Sequence, residues 1–171
     1  HEEAALVVRR GLDLADVRKV AVPLRGGMKD LTAMALIDSL GWKDRELVRQ
    51  PSGDGAIISL FAQGADAASM VEPYATAMQE LGVGSIVRHT GDVWKGAPGC
   101  SLCCAKTQVE QNPALVQKVV TAFVRGGIFV RERPDESAQI AARYIGISAD
   151  FIRKALDRNR PELGAIRNSG A

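Results

Sequence analysis

Four short apolar runs, separated by three stretches of helical period, fill residues 19–90, and no other feature restricts the fold so tightly. "KVAVP" (Lys19–Pro23), "ELVRQ" (Glu46–Gln50), "ADAASMV" (residues 65–71) and "SIVRHT" (residues 85–90) read as strands. Between the first two, Leu31, Met34, Ile37 and Leu40 form one apolar stripe of a helix over residues 28–40, which Gly41 closes. "AIISLFAQG" reads as a short helix ending at Gly64, and "PYATAMQELG" as a helix opened by Pro73 and closed by Gly82. Strands that alternate with helices are joined by crossovers, which give a parallel-rich sheet with helices on both faces. The expected fold class is α/β. "AALVV", near the start, looks like a strand already under way, and with His1 in first place the N-terminus reads as a cut or processed edge.

After "GDVWKGAPG" the texture changes. "CSLCCA" reads as one more strand, and three helices follow. Asn112-Pro113 opens the first, which runs to about residue 133 with Leu115, Val119, Ala122, Phe123 and Val130 along one side. The second starts near Pro134 and stops at Gly146, and the third starts behind Ser148. The three cysteines, Cys100, Cys103 and Cys104, have no second pair and no histidine at ligand spacing, so buried packing is expected of them rather than metal or redox chemistry. No uninterrupted apolar run has the length of a membrane span. The first residues lack the basic start and apolar block of an export signal. Twenty-two basic residues against 20 acidic ones, with 5% aromatics, give no footprint for nucleic acid.

In an open parallel sheet, ligands bind beyond the carboxyl ends of the strands. Three turns share that edge here: residues 24–29, residues 51–55 and Val71-Glu72-Pro73. Gly26 and Gly27 allow close backbone approach, and the helix start behind them offers unpaired N–H groups to an anion or polarised oxygen. Glu72, on the neighbouring turn, is positioned to accept from a donor on the same ligand. Asp30 suits the first helical turn through the helix dipole. "RGGMKD" matches neither nucleotide-binding glycine pattern, His89 has no nucleophile within its element, and Ser101 lies in no nucleophile elbow. Catalysis is therefore not expected, nor is any cofactor or metal.

"VAVPLRGGMKDLTAMALIDSLG", "GADAASMVEPYATAMQELG" and the segment from "NPALVQKVV" to "ADFIRKAL" together resemble the substrate-binding proteins of ABC importers of the nitrate/sulfonate/taurine class. That class includes relatives that bind pyrimidine precursors of thiamine. The most telling string is Asp66, Ala67, Ala68, Glu72 and Pro73, and the likeness runs from about residue 5 to residue 160. The resemblance implies a type II periplasmic-binding-protein fold, in which two α/β lobes close on a solute. It divides the chain into residues 1–18, a lead-in from the other lobe; 19–90, a complete lobe; 91–105, a hinge and crossing strand; and 106–171, helices that pack on the other lobe. It also implies ligand contacts at Gly26, Gly27, Met28 and Glu72, with Ser101 near the crossing strand. A small anionic or polar solute and a membrane permease are the implied partners, in a periplasmic or other extracytoplasmic setting. Family members carry a further stretch ahead of this point that opens the first lobe. Its counterpart is not in this sequence, so the chain is expected to be either a fragment of a longer protein or a shortened form whose incomplete lobe is covered by self-association, and a lone copy is expected to bind weakly. The rival readings are an enzyme of pyrimidine or thiamine-precursor metabolism on the same fold, with His89 facing the cleft, and a regulatory effector domain.

Overall fold

The structure, a computed structural model, describes residues 3–50, 53–96 and 99–159. His1, the Pro51-Ser52 part of the second turn and the end of the helical part, residues 160–171, lie outside them. Five strands, β1 (Ala4–Arg9), β2 (Lys19–Pro23), β3 (Glu46–Gln50), β4 (Ala67–Val71) and β5 (Gly84–His89), form one sheet in the order β3-β2-β4-β1-β5. β2 runs parallel to β3 and β4, whereas β1 runs antiparallel to both β4 and β5. All the other strands therefore point one way, and β1 is wedged among them in reverse. Within residues 1–18, the expected lead-in, β1 is thus an inner strand of the sheet that residues 19–90 supply the rest of. Its composition accounts for the position: Ala4, Ala5, Leu6, Val7 and Val8 are all buried, as a strand covered on both faces requires.

Side-chain alternation sorts the strands into two cores. Leu6, Val8, Val20, Val22 and Ala67 face helix α1 (Met28–Ser39), meeting its Ala33, Leu36 and Ile37. Ala5, Val7, Ala21, Ala68 and Met70 face the other way. There they meet α2 (Gly53–Phe61) through Ala56 and Leu60, and α3 (Tyr74–Glu80) through Ala75, Ala77 and Met78. The run of alanines on this face lets helix backbones approach the sheet closely. β5 approaches β1 more closely still. A Cβ on Gly84 would stand 2.5 Å from the Val8 carbonyl oxygen, so only glycine fits there.

Beyond β5 come the short helices α4 (Thr90–Val93) and α5 (Lys106–Gln111), then α6 (Pro113–Glu132), α7 (Pro134–Ile145) and α8 (Ala149–Asn159). Residues 99–105 contain no strand, contrary to the reading of "CSLCCA", and Cys100, Cys103 and Cys104 are all exposed rather than packed in a core. An apolar run becomes a strand only where a sheet edge receives it, and this segment pairs with neither edge of the sheet. The last helix also departs from expectation, because it packs on this lobe. Phe151 of α8 joins the α3-side core, and Lys154 pairs with Glu80 of α3. By contrast, α6 leaves Leu115, Val119 and Phe123 about half exposed. By length and composition alone α6 is long and apolar enough to cross a membrane. Its apolar run is not uninterrupted, because Lys118 and Arg125 stand among the apolar residues while leaving the mean hydropathy high.

Asp66 ties the start of the sheet together. Its carboxylate accepts from the N–H groups of Arg18 and Lys19 at 2.9 and 3.0 Å and from Arg9 at 3.1 Å. Its own carbonyl accepts from Arg9 N–H, and its N–H donates to Lys19 carbonyl. Burial pushes the Asp66 carboxyl up, but these three donors outweigh it and hold the pKa below the usual value. A depressed folded pKa stabilises the fold fully above the unfolded value, about pH 4, and the contribution is lost as pH falls through the folded value. Asp66→Ala is expected to lower the unfolding free energy by about 1–3 kcal/mol at neutral pH. Urea melts of wild type and Asp66→Asn should converge as the pH is taken down through the acid range, and a gap that stays constant would refute the linkage.

Candidate functional site

The chain leaves β2 for β3 on one side through α1, then returns past β2 to β4 through α2 on the opposite face. The strand order therefore reverses between β2 and β4, and the crevice beyond their carboxyl ends is where such sheets receive ligands. The β2–β4 register pairs Val20 with Ala67 and Ala21 with Ala68; continued outward, it sets Arg25 level with Glu72. The glycine turn and the Glu72-Pro73 turn are thus neighbours at the switch point.

The glycine turn is held from inside the chain. Gly26 has φ +95°, a conformation that favours glycine, and its N–H donates to Asp30 Oδ2 at 3.1 Å. Asp30 also pairs with Arg49 of β3, whose guanidinium donates to the Pro23 carbonyl at 2.8 Å. The Arg49 hydrogen bond holds the Asp30 carboxyl below its usual pKa; partial burial opposes this, and Gly26 N–H and the charges of Arg49 and Arg25 add to it. Asp30 is therefore more than a dipole-compensating residue, and Arg49, absent from the sequence expectation, is the strut of the turn. Its signal was an arginine directly after the apolar Leu47 and Val48 of a strand.

Gly27 is different. It caps α1 with φ −106° and ψ 167°, which any residue adopts, and no atom lies within 4 Å of where its Cβ would be. Nothing in the chain requires glycine there. Its absence of side chain leaves bare N–H groups at the helix start, and those of Gly27, Met28 and Lys29 have no partner among the described residues. Met28 is 69% exposed beside them.

Glu72 turns away from the glycines. Its side chain is 4% exposed; Oε2 accepts from Thr76 N–H at 3.0 Å and Oε1 lies 3.7 Å from Arg158 Nη1 of α8. Parity along β4 explains this, since Met70 and Ala68 face the α3 side and position 72 follows them. On the same edge, Glu72 N–H donates to the Glu3 carbonyl at 2.8 Å, and the Glu3 carboxylate accepts from the Cys100 thiol at 3.3 Å. That hydrogen bond, then the Glu3 charge and burial, push the Cys100 thiol pKa up, which disfavours a reactive thiolate. Ser101 follows, exposed, with Oγ 3.4 Å from Cys103 Sγ. His89 ends β5 at this edge, where its N–H donates to Asp92 and caps α4. Gly26, Gly27, Met28, Glu72 and Ser101 therefore share one edge of the sheet, but only the glycine turn offers free donors outward. No group of three or more metal-ligating side chains is found among the described residues.

The model of the NMT1-like family matches residues 4–146. Among solved structures, the chain is similar to the periplasmic aliphatic sulphonate binding protein SsuA from Escherichia coli, with 20% identity and a TM-score of 0.75 over 91% of this chain and 52% of that one. It is similar to the ligand binding component of an ABC-type import system from Staphylococcus aureus with zinc bound, with 21% identity and a TM-score of 0.75 over 92% and 56%. It is also similar to the periplasmic nitrate-binding protein NrtA from Synechocystis PCC 6803, with 18% identity and a TM-score of 0.74 over 89% and 45%. The chain spans about half the length of these proteins. No curated protein sequence matches it. The fold is that of a type II periplasmic binding protein.

The two glycines should respond oppositely to substitution. Gly26→Ala forces a side chain into a left-handed backbone and is expected to cost about 1 kcal/mol. Gly27→Ser keeps a good helix cap, so thermal melts should show stability unchanged or raised by about 0.5 kcal/mol. Equal losses in both variants would remove the distinction drawn between them.

Proposed function

The chain belongs to the NMT1-like family, and from that premise we propose that it is the solute-capturing lobe of an ABC-importer binding protein. Its solute is a small anion such as nitrate or a sulfonate, and it performs no chemistry on it. The observation that carries this reading is the bare helix start at Gly27 and Met28, at the switch point of the sheet, with Arg25 and the Arg49–Asp30 pair around it. The dipole of α1 and its unpaired N–H groups suit an oxyanion, and Gly27 has no reason internal to the chain for being glycine. Ser101 adds a hydroxyl from the far side of the edge. Glu72 borders the crevice from β4, its carboxylate engaged on the helix side.

In this reading β1 together with residues 19–90 forms one lobe, residues 91–105 form the hinge, and the exposed face of α6 is where a second wall packs. That wall comes from the remainder of such a fold or from another copy of the chain. A permease in the membrane receives the solute, and the setting is extracytoplasmic, by analogy with the periplasmic SsuA and NrtA proteins. Light scattering on the purified chain, followed by thermal shift against nitrate, bicarbonate, taurine, alkanesulfonates and pyrimidines, tests this. A saturating solute at about 100 times its Kd should stabilise the protein by about 2.7 kcal/mol. Gly27→Ser should weaken that shift while keeping the melt, because the serine hydroxyl takes the N–H of Lys29 or Asp30 and its side chain stands in the way of the solute. A shift untouched by Gly27→Ser, or turnover of any ligand in the screen, would overturn the proposal.

A further inference from the structure

We propose that the recess between the Glu72-Pro73 turn and helices α7 and α8 is a second ligand site, for a compact molecule with an apolar body and an N–H-bearing head. The recess has a volume of about 230 Å³. Val130, Ala141, Ile145, Ile152, Ala155 and Leu156 supply an almost wholly apolar wall. The polar residues of the wall are Glu72, Ser137 and Asn159, and each carries a buried oxygen without a hydrogen-bond partner among the described residues: Glu72 Oε1, Ser137 Oγ and Asn159 Oδ1. Two of these atoms only accept, and the third accepts as well as donates.

Glu72 decides the chemistry. Its side chain is 4% exposed, its Oε2 is satisfied by Thr76 N–H, and its Oε1 is not satisfied at all. Arg158 stands 3.7 Å away, close enough to offset the charge and too far to donate a hydrogen bond, and its own Nη1 is also buried without a partner. Leaving a buried acceptor without a donor costs about 1–3 kcal/mol, which an N–H-bearing head would return. An anion entering along this wall meets the Glu72 charge and the oxygens of Ser137 and Asn159, whereas Arg158 already faces Glu72 and is not part of the wall, so an N–H-bearing head is preferred. The site is therefore opposite in character to the glycine turn, and it stands whether or not that turn captures an oxyanion.

Benzamidine and benzoate form a suitable probe pair, with the same shape and opposite hydrogen-bonding heads; benzylamine is a third. Calorimetric titration of the wild-type chain should show benzamidine and benzylamine binding and benzoate not. Glu72→Gln keeps an oxygen for Thr76 N–H but removes the charge, and Ala141→Leu fills the apolar end. Each should weaken benzamidine by about tenfold or more with the circular dichroism spectrum unchanged. If Glu72→Gln does not fold, Ala141→Leu alone decides. Benzoate binding as well as benzamidine, no binding of either amine-bearing probe at millimolar concentration, or binding indifferent to a folded variant would each overturn the proposal.

Discussion

The carboxylate of Asp66 fixes where three strands meet at one edge of the sheet. It collects the first N–H groups of β2 and the guanidinium at the end of β1, from the residue that leads into β4. Charge-assisted bonds of this kind are stronger and more directional than neutral ones. Because strand pairing repeats with period two, fixing the register at this end fixes which residues stand level at the other. Arg25 comes level with Glu72 at the switch point because Val20 is held level with Ala67 at the opposite end. The site is built by an ion pair and two backbone bonds that lie the full height of the sheet away from it.

Much of this was legible in the sequence, and for a definable reason. β2 and β3 coincide with the expected limits because each is a short apolar run whose ends are marked by chain-breaking residues. α6, α7 and α8 were marked by Pro113, Pro134 and Gly146, which start and stop helices by removing an N–H or accepting a left-handed backbone. What escaped lacks such marks. α4 and α5 bury no residue, so no periodicity betrays them. The cysteine segment has the composition of a strand but no partner edge, and composition carries no information about partners. At the site, Gly26 and Gly27 could be found from sequence, but the Arg49 strut and the inward turn of Glu72 depend on register and parity that only the assembled sheet displays.

The C-terminal helices divide into two kinds. α8 is part of this lobe: Phe151 enters its core, and Lys154 and Arg158 meet carboxylates of α3 and of the β4 turn. α6 puts no residue into either core of the sheet, and its row of half-exposed Leu115, Val119 and Phe123 is an apolar surface of the sort that folded chains normally cover. α7 joins them, packing on α8 at one side and on α6 at the other. The three helices thus lead in succession from α6, outside the cores of the sheet, to α8, packed against α3.

The inverted position of β1 has a consequence for how the chain acquires its fold. β1 is made first, yet both of its neighbours are made much later: Ala5 pairs with Met70 on one side and with His89 on the other, and Ala4 N–H donates to Thr90, 86 residues on. A growing chain can close β2, α1 and β3 from local contacts, but β1 finds its first partner only when β4 has emerged and its second only with β5. Such long loops are slow to close. The last step in assembling the sheet is therefore the second pairing of its earliest strand, and during synthesis that strand is the part of the molecule most in need of protection.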